Sequence, residues 1–244
     1  MLRRRGKIKF PSPESFMEDE DESVRDLAKL VGSMAEPLEE VFGLSEDPMQ
    51  CFMSSLVVAK YLRREGFHAH ATQGRYLRKH PQIAQMVGSF NASRASWYAK
   101  GISAFPLYER HPHRFAARFS ESEMDFKSVE ALLHTSEDFF VTVNFGGAGR
   151  DKNKFMVHPT YRQFYPERSR GAIPPLVMDR VDAVSLRKKY HLALTSPEHA
   201  SRLRRDEKLL FSLEGDELLS DFELEIKPIV LATYGRFMEK MDAL

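Results

Sequence analysis

Residues 45–62 read Ser45-Glu-Asp-Pro-Met-Gln-Cys-Phe-Met-Ser-Ser-Leu-Val-Val-Ala-Lys-Tyr-Leu62, and the first seven carry the chemistry of a helix start. Asp47 is a good N-cap, because its carboxylate accepts from the unbonded N–H groups of a first turn. Pro48 suits the first helical position, where its missing N–H is not needed, and Gln50 stands three residues after the cap as a capping-box partner. The pattern predicts a helix from Pro48 to about Glu65 with Gly66 as its stop. Lys60, Arg63 and Arg64 fall at its negative end. Cys51, the only cysteine of the chain, lies within the first turn, where the free N–H groups and the positive end of the dipole favour a thiolate. That makes it a candidate nucleophile.

On the C-terminal side, Phe67-His-Ala-His-Ala-Thr-Gln-Gly-Arg-Tyr-Leu77 reads as a strand with broken alternation. Phe139-Phe-Val-Thr-Val-Asn-Phe145 is the clearest strand, and the segment Gly146-Gly-Ala-Gly-Arg-Asp-Lys-Asn-Lys154 is a turn into Phe155-Met-Val-His158, so the two form a hairpin. The glycines join strands and lack a following Gly-Lys-Ser/Thr and helix, which excludes a phosphate loop. On the N-terminal side, Val24, Leu27, Leu30, Val31, Met34, Leu38, Val41 and Phe42 recur at helical spacing and predict one helix closed by Gly43. Beyond Pro174-Pro175 the chain turns helical again, with amphipathic segments at 196–212 and about 216–243, the second with a candidate kink at Pro228. Residues 80–125 carry little periodicity. They hold an aromatic stretch at Trp97 and Tyr98 and a short candidate strand at 114–119, and residues 125–134 read as a short helix.

The chain has 244 residues and 42% hydrophobic content, enough to bury a substantial core. Lys+Arg 36 against Asp+Glu 35 removes any global electrostatic case for nucleic acid or a membrane surface. A single cysteine excludes an intramolecular disulfide, and with no apolar window of spanning length the expected setting is cytoplasmic, a secreted effector acting inside another cell being the alternative. The basic residues Arg3, Arg4, Arg5, Lys7 and Lys9 and the acidic run 18–22 read as a solvated, mobile leader over 1–22. The expected organisation is then a domain over 23–195 and a helical extension over 196–244 packed on it.

The stretch from Cys51 to Leu77 resembles the core of transglutaminase-like proteins in the papain-like superfamily, in which a nucleophile helix ends at a glycine and runs into a strand carrying a second, here Gly66 and Gly74. Phe155-Met-Val-His-Pro-Thr-Tyr-Arg-Gln-Phe164 is similar to the family's Asp-Pro-Thr segment, which follows a hairpin whose first strand begins with the catalytic histidine. The family's histidine position falls on Asp138 and its aspartate position on His158, so the two residue types are exchanged. Either the site works in reversed order, or the register is shifted, or the catalytic pair is lost. His134, His111 and His113 are rival partners for Cys51. The resemblance covers about 48–77 and 138–164, roughly a quarter of the chain.

The resemblance implies an α+β fold: a nucleophile-bearing helix packed on a small antiparallel sheet, with extra N- and C-terminal helices. It also implies thiol-dependent acyl transfer on an amide of a protein or peptide, as a protease, deamidase or transglutaminase-like enzyme. Cys51 attacks the carbonyl, His158 holds the thiolate and protonates the leaving amine, and Asp138 orients the imidazole. The Cys51 N–H, with Gln50, stabilises the oxyanion, and Tyr161 and Arg162 after Pro159 are positioned to touch substrate. No cofactor, metal, nucleic acid or membrane partner is implied. His68 and His70 alternate at a metal-like spacing but lack a third ligand.

Plainer readings stand beside these. Free cysteine is among the most buried residue types, so Cys51 also fits a core helix face. Gln50 also fits the cap alone, Arg162 a carboxylate pair, Asp138 a strand start and His158 a hydrogen-bonded strand end before a Pro-Thr turn. The alternative function is a catalytically inactive protein-binding module, with Trp97, Tyr98 and Phe105 as candidate anchors.

Overall fold

A computed structural model describes residues 10–42, 48–76, 137–145, 154–161, 174–190 and 192–244. The fold is α+β. Helices α1 (Glu22–Ser33), α2 (Ala35–Phe42) and α3 (Pro48–Arg64) precede strand β1 (His68–Tyr76), and β2 (Glu137–Asn144), β3 (Lys154–His158) and β4 (Val177–Arg180) follow. Helix α4 (Ala183–Lys189), strand β5 (Leu192–Leu194) and helices α5 (Pro197–Leu210) and α6 (Asp221–Met241) complete the order. The strands form one antiparallel sheet in the order β4-β3-β2-β1-β5.

Helix α3 is buried continuously from Cys51 to Ala59 and packs on β1 and β2. It stops where the sequence predicts. Gly66 has φ 90°, a left-handed conformation that costs glycine nothing, while the Phe67 N–H donates to Leu62 O (2.9 Å) and the Gly66 N–H to Arg63 O (3.1 Å). This closure turns the chain directly into β1, which packs on the helix it has just left.

Period-two alternation divides the sheet into two faces. Ala69, Ala71, Phe139, Val141, Val143, Phe155, Val157 and Met178 point to the α3 side, where Val24, Leu27, Leu56, Leu62, Leu210, Ile226, Val230 and Phe237 complete the larger core. Phe140, Met156 and Val177 point the other way and join Tyr161, Val181, Leu186, Tyr190 and Leu192 in a smaller core. Among the described residues no helix is long and apolar enough to cross a membrane.

Three expectations change. The single helix predicted over 24–42 is two, broken at Met34, because Pro37 cannot donate to the carbonyl four residues back and its ring crowds that position. The segment expected to be mobile is packed from Phe10 onward. The Met178 N–H donates to Pro11 O (3.2 Å), the Phe16 ring meets Phe155 at 5.4 Å, and Arg180 Nη2 donates to both oxygens of Asp19 (2.9 and 2.8 Å). Beyond Pro174-Pro175, where the chain is expected to be helical, helix α4 is flanked by the short strands β4 and β5. Helix α6 runs through Pro228 as one element.

One edge of β1 outruns its partner, since β5 pairs only with residues 74–76. One backbone N–H and two side chains finish the ladder. Thr195 N–H donates to Gln73 O (3.4 Å), Glu207 Oε2 accepts from the Ala71 N–H (3.3 Å), and Arg63 Nη1 donates to Ala69 O (3.0 Å). Arg63 and Glu207 also pair with each other at 2.5 Å, the carboxylate side chain 1% exposed. Removing one member strands the other and a strand N–H. Glu207→Ala is expected to cost on the order of 3 kcal/mol, and Glu207→Gln, which keeps an acceptor for Ala71, less. Equal denaturant midpoints for wild type and Glu207→Ala would contradict this account.

Candidate functional site

The β2–β3 register sets Val141 against Val157 and Thr142 against Met156, so Phe140 and His158 are cross-strand neighbours and Asp138 is diagonal to His158 on the same face. Asp138 Oδ2 lies 2.5 Å from His158 Nε2, and Oδ1 accepts from the Phe139 N–H at 2.9 Å. Both residues have 0% exposure. A carboxylate only accepts, so the shared hydrogen bond fixes the proton of the imidazole on Nε2 and presents Nδ1 as the other face of the ring. The ring stacks on Phe140 (centroids 6.0 Å, 24°) and meets the edge of Tyr161 at 5.0 Å. Gly74, opposite Asp138 on β1, admits this arrangement. A Cβ there would come within 3.0 Å of the Phe140 ring.

Cys51 sits in the first turn of α3 at 6% exposure, within the core of the α3 side. Its neighbour Phe52 packs edge-on against Phe139 with centroids 4.9 Å apart. Phe139 adjoins Asp138. The start of α3 and the Asp138–His158 pair therefore occupy the same end of the sheet, while alternation aims Phe139 toward α3 and Asp138 away from it. The structure thus joins Asp138 to His158 and sets Cys51 at their end of the sheet, on the helix that covers the opposite face.

The cap residue Asp47, the side chain of Gln50, and Arg162, His111, His113, His134, Trp97, Tyr98 and Phe105 lie outside the described residues. Tyr161, expected to touch substrate, is instead fully buried against the imidazole, and Phe140, which stacks on that ring, is not among the residues the sequence reading names. The signal was available, since Asp138 and Phe140 share a face by period two.

His68 and His70 share a face of β1. Burial, followed by the charges of Arg63, Arg204, His68 and Lys208, lowers the His70 pKa to about 4, so His70 is neutral near pH 7. Among the described residues no three His, Cys, Asp or Glu side chains are grouped to hold a metal ion. Comparison of the chain with protein-family models, curated proteins and solved structures found no significant match.

Two predictions follow from this geometry. Asp138→Ala leaves a buried imidazole without its acceptor and is expected to lower stability by about 2–3 kcal/mol; an unchanged urea midpoint would mean that the pair does not form. His70 binds its proton more weakly folded (about 4) than unfolded (6.5), so its contribution is present above pH 6.5 and is lost as pH falls toward 4. Stability measured across that window should decline, and His70→Gln should flatten the decline. A His70→Gln curve parallel to wild type would contradict it.

Proposed function

We propose that the protein is a thiol-dependent acyl-transfer enzyme acting on an amide, a peptide bond or a glutamine side chain, with Cys51, His158 and Asp138 as its working residues. The observation that carries this reading is the buried 2.5 Å contact between His158 and Asp138, at the end of the sheet that also holds the first turn of α3 on its other face. The resemblance of Cys51–Leu77 and Phe155–Phe164 to transglutaminase-like proteins adds to it. The exchange of residue types need not disable such a pair. A hydrogen bond between neighbouring strands, about 4.8 Å apart, serves as well when its two ends trade strands.

In this mechanism the Cys51 proton passes to His158 through Nδ1, and Asp138 stabilises the imidazolium through Nε2. The thiolate adds to the amide carbonyl carbon. As the carbon–nitrogen bond breaks, the imidazolium returns its proton to the leaving amine, and a thioester remains on Cys51. Water, or the amine of a second substrate, then attacks the thioester and releases the thiol. The Cys51 N–H at the helix start is the candidate oxyanion donor.

A second reading, a binding module on the same fold, is favoured by a specific observation. The pair is fully buried and faces away from the helix that carries Cys51. Kinetics separate the two. Turnover of casein- or glutamine-peptide amides that disappears in Cys51→Ala, and that falls at least a hundredfold in His158→Ala, is the expected result. Ammonia or peptide release that persists in Cys51→Ala would end the enzymatic proposal, and an inert wild type whose alkylation profile ignores His158→Ala would favour the binding module.

A further inference from the structure

Ser55 lies one turn after Cys51 on α3 and is fully buried (0% exposure), and its Oγ has no hydrogen-bond partner among the described residues. A buried serine within a helix ordinarily bonds back to the carbonyl four residues earlier. Here that carbonyl, Cys51 O, accepts instead from Ser54 Oγ at 3.3 Å. The Cα–Cβ bonds of a helix tilt toward its N-terminus, and side chains at i and i+4 stand one above the other with Cβ atoms about 5–6 Å apart. Ser55 therefore stands directly below Cys51 on one side of α3, with its hydroxyl uncommitted among the described residues.

Building on the thiol reading above, we propose that the Ser55 hydroxyl is an internal donor to the Cys51 thiolate, engaged when the sulfur ionises. A protonated thiol is a weak acceptor and offers the hydroxyl little, whereas the thiolate accepts an O–H strongly. A donor idle in the resting state and engaged as charge develops lowers the free energy of the charged state selectively, which is the differential interaction that catalysis requires. Ser54, whose hydroxyl is committed to the Cys51 carbonyl, has no such role.

The test is a pH titration of the full chain by the ultraviolet absorbance of the thiolate, with the Cys51→Ala protein as the blank, so that no reagent has to reach a buried sulfur. Ser55→Ala is expected to raise the thiol midpoint by about one pH unit, a roughly tenfold loss of thiolate below it. Its melting temperature should equal or exceed that of wild type, because a hydroxyl without an acceptor has been removed. Ser54→Ala should leave the midpoint in place. An unmoved midpoint in Ser55→Ala, an equal shift in Ser54→Ala, or a Ser55→Ala protein that melts well below wild type or fails to fold would each overturn the assignment. His158→Ala separates the two proposals. A midpoint that responds to His158→Ala and ignores Ser55→Ala keeps the thiol–imidazole reading and removes Ser55, and the reverse keeps the donor and removes the imidazole.

Discussion

Burial of α3 between the sheet and the surrounding helices is the constraint from which the remaining positions follow. Leu56, Val57, Val58 and Leu62 are at 0% exposure, and side chains of this kind contribute about 1.5–3 kcal/mol each when fully removed from water. A helix buried along nine consecutive residues, Cys51–Ala59, cannot rotate or slide without exposing apolar surface on one side and forcing atoms together on another. The glycine closure at Gly66 then fixes where β1 begins, β1 fixes β2 through eight paired positions, and β2 fixes β3. The position of His158 relative to Asp138 is the last consequence in that series.

The histidine–aspartate contact depends on strand register more than on which strand carries which residue. A one-residue slip of β3 against β2 would turn His158 to the α3 side beside Val141 and Val143, and would turn Phe155 and Val157 out of that core. The fit of Phe155 and Val157 into the larger core opposes that slip, and so holds the polar pair on the opposite face in contact. Phe140 and Tyr161 exclude water around the ring and raise the strength of a charge-assisted bond in that space.

Much of this was legible in the residues. Asp47 through Gly66 carry local signals for the start and stop of α3, and the runs at 139–145 and 155–158 are short, aromatic and β-branched with a glycine-rich turn between them, so α3, β2 and β3 fall where expected. Strands β4 and β5 hide because four- and three-residue strands such as Val177–Arg180 and Leu192–Leu194 are too short for periodicity to register. Their pairing is a tertiary event. The break at Met34 was legible in Pro37 but was overridden by an apolar pattern that continues in phase across it. The packing of Phe10, Phe16 and Asp19 was concealed by composition. A charged, proline-bearing segment looks solvated until the aromatic rings and the Arg180 fork that receive it are known.

The side-chain ladder along β1 has a bearing on association. An unpaired strand edge recruits strands from other molecules, and here residues 69–73 present such an edge beyond the reach of β5. Arg63 and Glu207 occupy its hydrogen-bonding positions with charge, and a foreign strand could take them only by separating an ion pair into an apolar surround. Glu207 belongs to α5, so the C-terminal helices serve as a shield against intermolecular β-pairing as well as a source of core contacts. A chain ending before α5 would carry an adhesive edge.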